Sequence, residues 1–343
     1  MAALPATPVL AAWLFGAAVA SALGTALMLG YGRRRLLDQP GQRRSHATPT
    51  PRGGGLGPVL AWCAALFALA GAGAGGTQAL LLAIGTLAVA AIGLVDDHRP
   101  LPAWPRLLVH ATAAVLLVAG ARGLPASATD LAGSAALVLA LVALVNFWNF
   151  MDGIDGLAAM QSAFVAFACG VVAVAAGAPA LALAAMLLCA SVAGFLPFNT
   201  PRARIFLGDV GSGALGFACG GLLLFAWDGG AMPWPIAPLL ASAFLLDAGL
   251  TLARRMLGGR RWYTAHREHL YQWLVRRGRS HARVAALYLG WNLLIVTPLA
   301  VAVLLHHIPP LTALAAATAG GALLWWAARH ALLRGARRYG AAP

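Results

Sequence analysis

An all-α protein that crosses a membrane many times is the fold class this sequence predicts, and three observations carry it. Hydrophobic residues fill 61% of the 343 positions, charged residues only 10%, and the mean hydropathy is +0.79. That is too little polar surface to cover a soluble globule of this size. The apolar residues fall into about eleven runs, each near the ~20 residues a helix needs to cross ~30 Å of hydrocarbon. Nearly all the arginines stand between alternate runs, which adds an orientation to the class.

In order, the runs lie near 8–30, 57–74, 78–95, 107–121, 131–148, 158–177, 179–197, 212–228, 233–253, 284–305 and 309–328. The first has no charge before it and Arg33, Arg34 and Arg35 after it. This is the reverse of a secretory signal, so the run is a retained helix. A Gly-Ala turn at 71–76 separates the second from the third; the fourth is short, and a brief Gly-Ala-Pro turn divides the sixth from the seventh. The count is therefore ten or eleven. The ninth run carries Asp247 about two turns from its inner end, where an ionisable group either functions or pairs. Arg254, Arg255 or a polar backbone site would satisfy it.

With the N-terminus outside, segments 31–56, 96–106, 149–157, 198–211, 254–283 and 329–343 face the cytoplasm and hold every arginine except Arg122. The chain has no lysine, and its 24 arginines against 10 acids give a net charge of +14. For so apolar a chain the anionic partner is the bilayer surface, not nucleic acid. Arg329, Arg334, Arg337 and Arg338 anchor the tail at the headgroups. Cys63, Cys169, Cys189 and Cys219 sit in apolar runs without a CxxC pair, which argues against a disulfide framework or zinc site. The whole chain, 1–343, reads as a single membrane-embedded domain, with 284–343 its C-terminal spans and basic tail.

Seven of the ten acids fall in or beside the inner loops. In the first loop, DQPGQRRSHATPTPRGGGLG, the three glycines let backbone approach a ligand, and Arg43, Arg44, His46 and Arg52 suit phosphate oxygens. Neither a P-loop nor a GxGxxG fingerprint is present. The third run ends in GLVDDHRPL, which places the adjacent carboxylates Asp96 and Asp97 at the water interface. Their mutual repulsion calls for a cation or an arginine. The fifth ends in NFWNFMDGIDGLA, where Asn149 and Asp152 share a face if the helix persists and Asp155 follows a turn later. Oxygen ligands of this kind suit Mg2+ or Mn2+. In IFLGDVGSG, Phe206 is positioned to stack on a base or anchor the interface, and Asp209 opens a glycine-rich helix start suited to an anion. The last loop carries HREHLYQ, with His266 and His269 three apart on a helix and Arg267 between them. The order HREH is not the HExxH of a zinc protease.

Taken in order, RRSHATPTPRGGG, DDHRPL, NFWNFMDGIDGLA, IFLGDVGSG and HREHLYQ resemble the polyprenyl-phosphate N-acetylhexosamine-1-phosphate transferases, over about residues 38–275. The forms PTPRGGG and HREHLYQ look closest to the branch that initiates O-antigen or capsule-like polymers. The resemblance implies a bacterial inner-membrane enzyme that joins a UDP-N-acetylhexosamine to undecaprenyl phosphate and releases UMP. It implies that Asp209 binds Mg2+ with help from Asn149, and that Phe206 and Asp155 hold the uracil. Asp96 and Asp97 would serve the acceptor phosphate, with Asp152 and Asp209 completing the catalytic carboxylates, while His266, Arg267 and His269 hold the diphosphate and sugar. Many relatives carry lysine in the first loop where this chain has Arg44 and Ser45, so a role that requires loss of a proton does not carry over. A homodimer is left open.

Two other readings fit less well. A CDP-alcohol phosphotransferase is suggested by residues 152–156, yet 158–178 contain neither the arginine nor the further aspartates it needs. A glycolipid transporter predicts charges near midplane and paired half-repeats, whereas the acids here gather at one face.

Overall fold

A computed structural model describes Leu4 and residues 6–39, 48–73, 75–261 and 266–338, with side chains described as far as Arg334. Within them the chain is almost wholly helical and divides into two compact units, one formed by residues up to 39 with 48–232 and the other by residues from 233 onward.

The first unit runs α1 (Thr7–Arg35), β1 (Leu37–Asp38), β2 (Thr50–Pro51), α2 (Leu56–Gly71), α3 (Gly76–His98), α4 (Ala103–Arg122), α5 (Ala128–Met151), α6 (Leu157–Ala175), α7 (Pro179–Asn199) and α8 (Asp209–Asp228). Uninterrupted Ala, Leu and Val favour helix, and in hydrocarbon only a helix satisfies its own backbone. Local signals set the ends. Proline occupies the first turn of α1 and α7, and Ser127 caps α5 by accepting from Asp130 N at 3.1 Å. The two short strands pair antiparallel, Leu37 with Pro51 and Asp38 with Thr50, and tie the end of α1 to the start of α2.

The axis of this unit is α8, whose apolar stretch is 94% buried inside the protein. Helices α2 to α7 pack around it, α3 and α5 most extensively. Small residues permit that approach: Gly216 lies against Trp148 and the Leu144 carbonyl, and Gly213 against Val89 and Val145. Trp148 is fully buried, and its indole N–H donates to Ser162 Oγ at 2.8 Å, joining α5 to α6.

The second unit holds α9 (Ile236–Leu240), α10 (Ser242–Leu257), α11 (Leu270–Arg276), α12 (His281–Trp291), a π-helical turn (Asn292–Val296), α13 (Thr297–Leu304) and α14 (Pro310–Arg338). The π turn precedes Pro298, which has no N–H to continue the ladder, and Thr297 Oγ1 donates to the Asn292 carbonyl at 2.9 Å.

Nine helices among the described residues are long and apolar enough to cross a membrane, with 281–304 counted as one, and the protein is a polytopic all-α membrane protein. Two expected spans differ. Leu56–Gly71 is apolar but only 16 residues long. The run 233–253 is not one helix: it breaks at Ala241, after the prolines at 233, 235 and 238, and resumes as α10 with Asp247, Thr251 and Arg255 on its buried face. Elsewhere most helices extend beyond the apolar windows, α14 as far as Arg338, because charged and polar residues at the rims remain helical.

Candidate active site

Four connections of the first unit meet at one end of its bundle: β2 to α2, α3 to α4, α5 to α6 and α7 to α8. Gly54 N donates to Phe206 O and Gly55 N to Leu207 O, both at 2.9 Å, and Phe206 N donates to Pro51 O at 2.8 Å. A Cβ on Gly55 would overlap the Cα of Gly211. The close approach that Gly55 permits is to the chain's own backbone at Gly211 and Leu207. Gly208 takes φ +78, and a Cβ there would stand 2.7 Å from Asp97 Oδ2.

The two adjacent aspartates at the end of α3 point to different partners. Helix α3 continues to His98, so both carboxylates are buried, Asp96 at 8% exposure and Asp97 at 1%, and neither stands at an open interface. Asp97 accepts from the backbone N–H of Asp209 at 3.2 Å and of Val210 at 3.0 Å, capping α8 where its dipole favours an anion. Arg52 supports it, with Nε 3.6 Å from Asp97 Oδ1 and Nη2 donating to the Asp97 carbonyl. Asp96 accepts from Leu101 N at 2.5 Å and from Arg106 Nη1 at 2.6 Å.

Asp209, held in place by that cap, is the more accessible acid, with 33% of its side chain exposed. Asn149 Nδ2 donates to its Oδ1 at 2.6 Å and to Ser212 Oγ at 3.1 Å. Arg106 Nη1 lies 3.6 Å from Asp209 Oδ2, so one guanidinium bridges Asp96 and Asp209. Two carboxylates this close repel unless a cation stands beside them.

The α5–α6 connection adds two acids. Helix α5 ends at Met151, and Asp152 is its C-cap, so the helix does not continue through Asn149 and Asp152 as one face. Burial, reinforced by Asp209, Asp97 and Asp155, pushes the Asp152 carboxyl well above the usual range. Asp155 Oδ2 accepts from Ala203 N at 3.2 Å, which fastens it to the loop that presents the half-buried Phe206. Buried Asn199 locks the same two loops together, accepting from Gly156 N at 2.8 Å and donating to Ile205 O at 3.0 Å.

Residues 79–226, from α3 through α8, match the family described as glycosyl transferase family 4. The chain is 33% identical over 292 residues to the decaprenyl-phosphate N-acetylglucosaminephosphotransferase of Mycobacterium leprae (strain TN), covering 74% of this chain and 73% of that one. The enzyme of the same name from Mycobacterium tuberculosis (strain ATCC 25618 / H37Rv) is also 33% identical, over 74% and 72%. A phospho-N-acetylmuramoyl-pentapeptide-transferase of Synechococcus sp. (strain JA-3-3Ab) is 34% identical over 34% of this chain and 35% of its own. The chain belongs to glycosyl transferase family 4. As a family 4 chain it joins membrane-embedded phosphosugar transferases, and the matched stretch contains Asp96, Asp97, Asn149, Asp152, Asp155, Phe206 and Asp209.

Of the other residues expected at a family 4 site, Arg44 and His46 lie outside the described residues. His266, Arg267 and His269 belong to the second unit. The two histidines are not on a helix: residues 266–268 are loop and His269 is the N-cap of α11, its N–H donating to Gln272 Oε1 at 3.3 Å. Their rings lie 4.9 Å apart, and His269 stacks on Tyr271 at 5.9 Å. Burial, with His269 and Arg255 nearby, lowers His266 to about 4, so at neutral pH it is an uncharged imidazole.

Asp247 anchors this segment through backbone and ring partners. It accepts from Leu270 N at 2.7 Å, Tyr271 N at 3.3 Å, Tyr288 Oη at 2.6 Å and Trp325 Nε1 at 3.0 Å.

Arg106 escaped the sequence reading because it belongs to no motif string. One signal was present: a cation in the first turns of α4 opposes the helix dipole, which makes sense only if an acid holds it. Asn199 was missed for the same lack of a motif role.

Proposed function

We propose that this chain transfers an N-acetylhexosamine 1-phosphate from a UDP-linked sugar to a polyprenyl phosphate at the cytoplasmic face of a bacterial inner membrane, beginning a cell-surface glycan. The observation that carries this reading is the Asp96–Arg106–Asp209–Asn149 cluster at the start of α8, beside the loop of Asp155 and Phe206. The relatives' names support N-acetylglucosamine as the sugar and decaprenyl phosphate as one acceptor. Undecaprenyl phosphate differs only in its tail.

An acceptor phosphate oxygen attacks the sugar-bearing phosphorus, a new P–O bond forms, and the bond to the UMP oxygen breaks, so one phosphoanhydride replaces another. Lipid phosphate is already a competent nucleophile, and the harder task is bringing two anions together. Arg106 answers that in part, a charge held between two acids and 30% exposed toward incoming phosphate. Asp96 fixes Arg106, Asp97 fixes the α8 terminus, and Phe206 offers a ring face for the base.

Mg2+ fits the donor set. Every candidate ligand is oxygen, and the neighbouring carboxylates that add to burial in pushing Asp152 up would be offset by a divalent charge. Among the described residues no three His, Cys, Asp or Glu side chains stand ready as a metal cage, which suits an ion that usually takes one or two carboxylates and fills its shell with substrate phosphates. Asp209 would hold it with the Asn149 carbonyl oxygen, whose amide nitrogen is committed to Asp209 and Ser212. Bound there, the ion would neutralise charge on the transferring diphosphate.

The test offers purified protein Mg2+, polyprenyl phosphates of several lengths and a panel of UDP-N-acetylhexosamines, with lipid product identified by mass. Labelled UMP should enter the UDP-sugar pool only when lipid phosphate or its sugar-linked product is present. Exchange without lipid would replace direct attack by a covalent phospho-sugar enzyme, and no lipid product with any pair would reject the transfer.

A further inference from the structure

The second unit holds a cavity of about 290 Å3 between α10, α11, α12 and α14. Leu246, Leu274, Leu287 and Leu324 line it with Trp291 and Trp325, and none of these residues has a part in the transfer proposed above. Its aromatic walls are fixed. Trp291 Nε1 donates to Ser242 Oγ at 3.0 Å, while Tyr288 Oη and Trp325 Nε1 both donate to the Asp247 carboxylate. The polar atoms of the three rings are thereby committed to α10, and the surface they leave to the cavity is apolar.

The cavity opens sideways. Leu287 is 58% exposed and Leu324 61%, and both belong to helices long and apolar enough to cross a membrane, so the mouth between α12 and α14 faces hydrocarbon. A hydrocarbon chain is what an apolar slot open to lipid accepts.

Charge at one end decides whose chain it is. Arg277 follows the lining Leu274 by three residues and Arg283 precedes the lining Leu287 by four, each about one helical turn away. Arg277 Nη2 donates to the Leu332 carbonyl, one turn past the lining Ala328, so it stands at the end of the cavity where α11 meets α14. Between 233 and 343 the chain has thirteen arginines and two acids, Asp247 and Glu268. Glu268 is already shared by Arg254, Arg255, Arg260 and Arg329, and neither Arg277 nor Arg283 pairs with an acid among the described residues. Two guanidinium forks beside an apolar slot complement a phosphate attached to a chain.

We infer that this cavity binds an anionic glycerophospholipid of the surrounding bilayer, with one acyl chain in the slot and the headgroup phosphate on Arg277 and Arg283. Size favours this occupant over a polyprenyl phosphate. At about 290 Å3 the cavity lies at the small end of ligand sites, which run roughly 300–1,000 Å3, and it takes part of one acyl chain. The site lies within one unit and stands whether or not the chain carries out the transfer. A lipid bound there holds α10, α11, α12 and α14 together, so binding registers as stability.

Thermal unfolding of the full chain in detergent reads it. Phosphatidylglycerol added to the micelles should raise the melting temperature saturably, and phosphatidylcholine with the same acyl chains should bind about 10-fold more weakly. Arg283→Gln, at an exposed position with no acid to strand, should weaken phosphatidylglycerol about fivefold and leave phosphatidylcholine nearly unchanged. Ala328→Leu fills the slot without touching the arginines and should weaken both lipids. Should that variant fail to fold, Leu287→Trp obstructs the exposed mouth instead. Equal affinity for the two lipids, or an unchanged affinity in Arg283→Gln, overturns the headgroup assignment. Undiminished binding in the obstructed variant puts the chain elsewhere and overturns the site. A polyprenyl phosphate that binds more tightly than phosphatidylglycerol, and loses affinity in the same two variants, would give the cavity to that lipid and overturn the assignment of its occupant.

Discussion

Asp209 and Arg106 differ in how a substitution should register. Asp209→Ala removes the accessible carboxylate of the cluster, and turnover should fall by about 10³-fold while the protein still inserts and unfolds cooperatively. Wild-type activity and Mg2+ dependence in that variant would move the ligand role to Asp96 or Asp152. Arg106→Gln leaves Asp96 and Asp209 facing each other without their shared cation, so kcat should drop about 10²-fold, with partial return in Arg106→Lys. Phe206→Ala should weaken UMP and UDP-sugar binding but not acceptor affinity, and Phe206→Tyr should be tolerated. Equal loss for both substrates would make the ring a loop anchor. These residues were legible because they recur in motif strings. Arg106 was not, because its meaning lies in a distance to Asp209 across about a hundred residues of chain.

Helices and their junctions carry a separate set of consequences. The start of α8 is set by Asp97, so Asp97→Ala should cost about 1–2 kcal/mol of stability from the lost cap, as well as activity, since Asp209 rides on that terminus. Thermal unfolding in detergent would measure the first effect. Gly55→Ala should destabilise by about 1–3 kcal/mol, because two backbones meet there and neither can yield. Gly249→Ala, with nothing within 4 Å of a new Cβ, should be neutral or slightly stabilising and serves as the control. Most helices were readable as apolar runs because their composition dictates helix whatever they touch. The break at Ala241 and the loop around His266 were not, since proline spacing and the partners of Asp247 matter there and periodicity does not.

At the scale of the whole molecule, orientation and pH dependence are the properties to check. A cysteine at Ala203 should label from the cytoplasmic side, as the arginine bias requires; labelling from outside in intact cells would reverse the topology. His266 titrates near 4 in the folded protein against about 6.5 unfolded, so the unfolded chain binds the extra proton first. Its contribution to stability is therefore complete above pH ~6.5 and lost as pH falls toward 4. His266→Gln should flatten the melting temperature across that window. The gathering of acids at one end was legible from sequence, because each motif sits where an apolar run stops. That one helix forms the centre was not, since α8 is less apolar than α3, α5, α6 and α7 and differs in its glycines and in what surrounds it. Being central, α8 touches almost no lipid. A bilayer thicker or thinner than the protein is met by tilt of the outer helices, at a cost of fractions of a kcal/mol per Å. The helix that carries Asp209 is sheltered from that mismatch, so specific activity should hold nearly constant as acyl-chain length is varied, even where insertion and stability do not.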